Sequence, residues 1–223
     1  LPWSQLLALP LSLFVIAQVL VALARIEEAT QKRQELARHF EVMADSRPSF
    51  DAIVSDLILQ IAQKMDASVV LLAIKTFSGR CRVMCWEAEH EIFELSEGAA
   101  APVVKQALSL PAEVAVGWLG DLPRWRGRRQ IEIGPSGLPS DIFQISRDTL
   151  LELSSLAGRE RLMSVPISAG SVGKMRLLLA GESIKVNLQT LGTFQRIVEQ
   201  VGPTVDNACL REELANQAAD AER

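Results

Sequence analysis

Tyrosine is absent from this chain of 223 residues, and it has only two His and three Cys. His39 and His90 lie far apart, and Cys81, Cys85 and Cys209 are scattered, so no metal-ligand spacing forms. Cys81 and Cys85, if placed on one strand, stand about 13 Å apart, beyond the roughly 7 Å that a disulfide spans. Three reduced thiols are expected, as in a reducing compartment. Signatures of catalysis are missing too. There is no Gly-x-Ser-x-Gly elbow, no His-Glu-x-x-His and no nucleotide-binding fingerprint, so nothing here supplies catalysis. A net charge of −4 leaves no chain-wide basic footprint, and nucleic acid is not an expected partner. With 48% apolar and 22% charged residues, the chain is neither a disordered tail, a collagen nor a disulfide-stapled peptide.

Charge itself is missing from residues 1–24, LPWSQLLALPLSLFVIAQVLVALA; the first charged residue is Arg25. As a helix this segment is about 36 Å long, enough for a hydrocarbon core of ~30 Å. Trp3 stands where an interfacial aromatic belongs, and Pro10 is tolerable in a span. A signal peptide cut after Ala22-x-Ala24 competes, but no Lys or Arg precedes its apolar core. A buried helix of a soluble domain competes as well, against the length of the run. The expectation is a transmembrane helix over 1–24. Arg25, Lys32, Arg33 and Arg38 follow it, so the positive-inside rule puts the residues after Ala24 in the cytoplasm. The chain lacks an initial Met and ends on a charged helical stretch, which reads as a fragment of a longer protein.

Beyond the span, residues 25–48 form a helical connector ended by Ser46-Arg47-Pro48. Ser49 caps a helix whose Phe50, Ile53, Val54, Leu57, Ile58, Ile61 and Met65 share one apolar face. SVVLLAIKTF (68–77) reads as a buried strand, and RCRVMCWEAE (80–89) as its antiparallel return. HEIFEL (90–95) supplies a third strand. A helix runs over Ala99–Leu108, its start limited by Pro102. Residues 110–139, rich in Gly and Pro, form an irregular middle with one short strand at Gln130–Ile133. Ser140–Leu156 reads as a capped helix, 161–168 and 174–182 as a hairpin about AGSVG, and Asn187 to the end as a long helix. The order is helix, hairpin, helix, loop, helix, hairpin, helix: an α+β domain with a mainly antiparallel sheet.

Three stretches carry candidate chemistry. In RWRGRR (124–129), Arg124, Arg126, Arg128 and Arg129 are candidate anion contacts, because guanidinium forks grip phosphate or carboxylate; the bland alternative is a solvated loop. His90-Glu91 is similar to a phosphoacceptor pair but follows a strand, so it reads as an exposed strand-end His. AGSVG lacks the Lys-Ser/Thr ending of a phosphate loop and reads as a hairpin turn. Along the last helix, Leu191, Phe194, Val198, Val201, Val205 and Ala208 recur by threes and fours. They are a candidate dimer seam, the alternative being that they cover the domain's own sheet.

The element order, RERLMSVPISAGSVGKMRLLLAGE (159–182) and VEQVGPTVDNACLREEL (198–214) together resemble a GAF domain over residues 49–214. The resemblance implies a GAF-like antiparallel sheet flanked by helices over 49–202, with an exit helix over 203–223. The middle, 96–139, departs from the family pattern, and Cys81, Cys85 and His90 do not align with a tetrapyrrole-attaching residue. With the span and connector, the whole looks like the input half of a bacterial membrane-bound sensor histidine kinase. That resemblance implies a homodimer at the inner membrane, a small-molecule ligand of unknown identity and no cofactor in this stretch, ATP belonging to a kinase domain outside it. Two other outputs fit the same arrangement: a membrane-tethered ligand-binding module regulating a nucleotide cyclase or phosphatase, and a degenerate GAF serving only as a dimerisation scaffold.

Overall fold

In the computed structural model, the described residues are 49–88, 90, 92–120, 130–134, 145–168 and 173–221. The expected span at 1–24 and connector at 25–48 lie outside them. Among the described residues no helix is long and apolar enough to cross a membrane.

Helix α1 spans Phe50–Met65. The Ser49 side chain accepts from the Ala52 amide, Asp51 sits in the positive first turn, and Asp66 ends the helix in the left-handed region at φ 53°. All seven residues of its expected apolar face are buried. Strands β1 (Val69–Thr76) and β2 (Cys81–Glu87) form the expected hairpin, with Val69 opposite Glu87 and Lys75 opposite Cys81. The third strand, β3, is shorter than expected and comprises only Phe93–Glu94.

Helix α2 spans Glu97–Ala107, so Pro102 lies inside it rather than near its start. The ring deprives the Gly98 carbonyl of its amide partner, a cost that the exposure of both residues to solvent lessens. The middle is less irregular than expected: β4 (Ala115–Trp118) precedes β5 (Gln130–Ile133). Gly117 hides β4 from a reading by β-propensity. It is there because a Cβ would stand 2.7 Å from Val186 Cγ1. Helix α3 spans Arg147–Leu156 and is capped by Ser146, which accepts from the Asp148 amide. The expected start at Ser140 is not its start: Ile145 and Ser146 are not helical, and 140–144 lie outside the described residues.

Strands β6 (Leu162–Ile167) and β7 (Gly173–Ala180) form the late hairpin. Pro166 is tolerated because β4 pairs only with Leu162–Ser164, leaving Pro166 beyond the ladder on that side. Helix α4 spans Leu188–Ala221, 34 residues without a break at Gly202-Pro203. The Asn187 side chain accepts from the Thr190 amide at 2.8 Å and opens it. A Cβ at position 202 would stand 3.3 Å from Ile167 Cγ2, so Gly lets the helix lie close on β6, while Pro203 faces outward.

The sheet has seven strands in the order β3-β2-β1-β7-β6-β4-β5, and every pairing is antiparallel. The pleat sends alternate residues to opposite faces. Val69, Leu71, Ala73, Val83, Cys85, Leu178 and Ala180 meet α2 and α3 in one core. The other face, with Leu72, Ile74, Leu177 and Leu179 buried, is covered by α1 and α4, which also pack on each other. The result is an α/β/α sandwich with the sheet in the middle.

Candidate functional site

The sheet face beneath α2 carries an unexpected charge. Arg176 on β7 is 1% exposed, and among the described residues no carboxylate pairs with it. Its Nε donates to Ser164 Oγ at 2.7 Å, and its terminal nitrogens donate to the carbonyls of Pro111 at 2.9 Å and of Val114. Burial pushes the guanidinium down to about 9, yet it stays charged at neutral pH. Three of its five N–H groups thus fasten the link between α2 and β4, donating to the carbonyls of Leu110, Pro111 and Val114, while a fourth, on Nε, holds Ser164. Toward the sheet edge, Trp118 Nε1 and Glu132 Oε2 are buried without a hydrogen-bond partner, although Glu132 Oε1 accepts from Gln130.

Two residues before Arg176, at the end of the same face, a half-open cavity of about 370 Å³ lies between the sheet and the C-terminal half of α2. Its lining is Lys75 on β1, Cys81 on β2, Lys174 on β7, and Ala101, Val104, Lys105 and Leu108 from the helix side. Lys75 and Lys174 are direct cross-strand partners, so both point to the same face. Among the described residues no carboxylate lines the cavity. Its volume is at the small end of the ~300–1,000 Å³ typical of small-molecule sites.

On the opposite face, Arg82 of β2 clasps α4 to the sheet. Its Nε and one terminal nitrogen grip Glu94 at 2.6 and 3.1 Å, the other terminal nitrogen reaches Glu212 of α4 at 2.7 Å, and Asp51 of α1 lies at 3.2 Å. The guanidinium also lies 4.8 Å over the Phe50 ring. The bond to Glu94, and then that to Glu212, hold its charge more firmly than usual against partial burial. Nearby, burial pushes the Cys209 thiol up to about 11, and does the same to Cys85 in the other core.

The residues singled out from sequence fare unequally. Leu191, Phe194, Val198, Val201, Val205 and Ala208 are brought together, but inside one chain: each is 7% exposed or less beneath α4. The seam read as a dimer contact is therefore already covered by the domain's own sheet and α1, and it has no surface left for a second copy. Arg124, Arg126, Arg128 and Arg129 lie outside the described residues. His90 is exposed in the turn after β2, 3.9 Å from Glu87. Cys81 and Cys85 share β2, and all three thiols are free. Lys75, Lys105, Lys174, Arg82 and Arg176 were not legible as site residues, because each is a single charge in an otherwise ordinary strand or helix. Only the register gathers them.

No protein-family model matches the chain, and none of the curated proteins matches it. Among solved structures it is similar to the phycoerythrobilin-bound GAF domain from a cyanobacterial phytochrome, with 13% identity, 81% of this chain and 97% of that chain covered, and a TM-score of 0.57. It is also similar to the phycocyanobilin-bound GAF domain from a cyanobacterial phytochrome, with 12% identity, 80% and 96% covered, and a TM-score of 0.55. At such identities the likeness concerns the fold, and the fold of residues 49–221 is that of a GAF domain, with flanking helices and a long C-terminal helix.

Proposed function

We propose that this chain is the sensory and signal-relay module of a bacterial membrane-bound sensor histidine kinase, anchored by residues 1–24 with the domain on the cytoplasmic side. One observation carries the relay: α4 is a single helix whose first part belongs to the core and whose last part stands clear of it. Leu191 and Phe194 are fully buried, whereas Leu214 is 55% exposed. Arg82 joins the sheet to this helix at Glu212, near the point where it leaves the domain. A change in the sheet, or in the packing of α1 and α4, is thereby passed along a rigid rod. Since the buried seam is occupied, pairing of two copies falls to the stretch with half-buried Leu210 and exposed Leu214. The module itself supplies no catalytic group, and ATP is a requirement of the kinase domain alone.

The test is a chimera in which α4 runs into a histidine-kinase core, reconstituted in lipid. Insertion of one to four residues after Glu213 rotates the output about 100° per residue, at ~3.6 residues per turn. Autophosphorylation is expected to rise and fall with the helical period. A response that is flat, or that only declines with length, overturns the relay.

A further inference from the structure

We propose that the cavity of Lys75, Lys105 and Lys174 binds a small organic anion: a carboxylate or phosphate monoester on a short apolar body. The proposal rests on the sensory reading above and names the class of molecule sensed.

The case begins with the cost of the arrangement. Lys75 and Lys174 are opposite each other in the β1–β7 register, where like charges destabilise a sheet. Lysines often protect exposed sheet edges, but β1 and β7 are central strands, third and fourth of seven, so protection of an edge does not account for the pair. Neither lysine has an acidic partner among the described residues. Lys105 has an ordinary role in the last turn of α2, where a cation favours the helix dipole. It nevertheless closes the same cavity and makes the third positive charge in a lining without a negative one.

The walls define the rest of the ligand. Ala101, Val104 and Leu108 form an apolar side opposite Lys75 and Lys174. A bare inorganic ion leaves that wall against water, and a purely apolar molecule leaves the ammonium groups unpaired. An anionic head with an apolar body satisfies both. Ammonium groups act as hydrated point charges without the fork geometry of Arg, so they suit carboxylate and phosphate alike. The volume of 370 Å³ is about a dozen waters' worth, which fits a ring or short chain rather than a lipid. Arg176, two residues along β7 on the same face, adds a buried positive charge and holds the α2–β4 link. Occupation of the cavity therefore bears on the position of α2.

The experiment is calorimetric titration of the full chain in phosphatidylcholine nanodiscs with phenyl phosphate, benzoate, inorganic phosphate and phenol. Phenyl phosphate or benzoate is expected to bind saturably at one site per chain, at least tenfold tighter than inorganic phosphate or phenol, and to weaken as salt rises. The double variant Lys75→Gln/Lys174→Gln is expected to lose at least tenfold in affinity. Ala101→Phe, at an exposed position on the cavity wall, is expected to block binding while leaving thermal unfolding unchanged. Equal binding of inorganic phosphate and phenyl phosphate, undiminished binding by the double variant, or no saturation by either organic anion overturns the site. Saturable binding together with a flat insertion series keeps the site and removes the relay; an oscillating series without binding does the reverse.

Discussion

Replacing Arg82 with Met removes the charge that clasps α4 to the sheet but keeps an apolar stem over Phe50. The magnitude follows from the surroundings. The side chains of Glu94, Glu212 and Asp51 retain 38%, 34% and 62% exposure, so water solvates each carboxylate once Arg82 is gone. The penalty of ~3–5 kcal/mol for stranding a buried charge therefore does not apply. What is lost is a two-point grip on Glu94 and a short bond to Glu212, each worth about 1 kcal/mol at such exposure. The longer contact to Asp51 adds roughly 0.3 kcal/mol, and the cation over Phe50 about 0.5–1 kcal/mol. The total is about 3 kcal/mol, or roughly a 6–12 °C drop in Tm for a domain of this size. Urea unfolding with a double-mutant cycle, Arg82→Met against Glu212→Gln, should return a coupling of about 0.5–1 kcal/mol that shrinks in high salt. Hydrogen exchange should speed up around Cys209–Glu213 more than in β1 or β7. A loss below about 1 kcal/mol with zero coupling, or uniform exchange across the chain, would refute the view that Arg82 fastens the helix.

Phe194→Ala should cost about 3–5 kcal/mol at any protein concentration, because the ring fills the core of one chain; unfolding that shifts with concentration would instead place it between copies. Gly173→Ala, where φ is +151° and an added Cβ would overlap the Lys75 carbonyl oxygen, should destabilise by about 2–4 kcal/mol or prevent folding, as read by urea titration. The thiols of Cys85 and Cys209 are held neutral by burial, to about 11. A raised thiol pKa gives stability that is full below the unfolded value near 9 and is lost as pH climbs toward 11. The stability difference between the chain and its Cys85→Ala/Cys209→Ala variant should accordingly be constant up to about pH 9 and shrink above it, the double variant gaining relative ground. Alkylation at pH 8 should modify the half-exposed Cys81 well before the other two; equal rates would contradict their burial.

Much of the fold was legible because each of its elements announces itself locally. The face of α1, its Ser49 cap, both hairpins and the long last helix follow from period, capping and β-branching. Strand β4 was not legible, because Gly117 and short length remove the β signal; the reason for the glycine, Val186, comes from a distant segment. Ser140 is as good a cap as Ser146 by residue type, and only the tertiary packing of Leu150 and Leu153 decides which begins α3. The heptad-like run on α4 shows the same limit. A helix covering a sheet and a helix pairing with a copy of itself need the same spacing of apolar residues.

The sequence by itself determined the periodicities, hence the elements and the antiparallel hairpins, and it placed the boundary of charge at Arg25. The tertiary structure decided which apolar face is core and which charges meet. Lys75 and Lys174 are 99 positions apart, and Arg82 and Glu212 are 130 apart. Register across β1 and β7, and the path of α4 back over the sheet, bring them together. A pairing of that kind depends on where strands lie relative to one another, which local residue spacing does not encode.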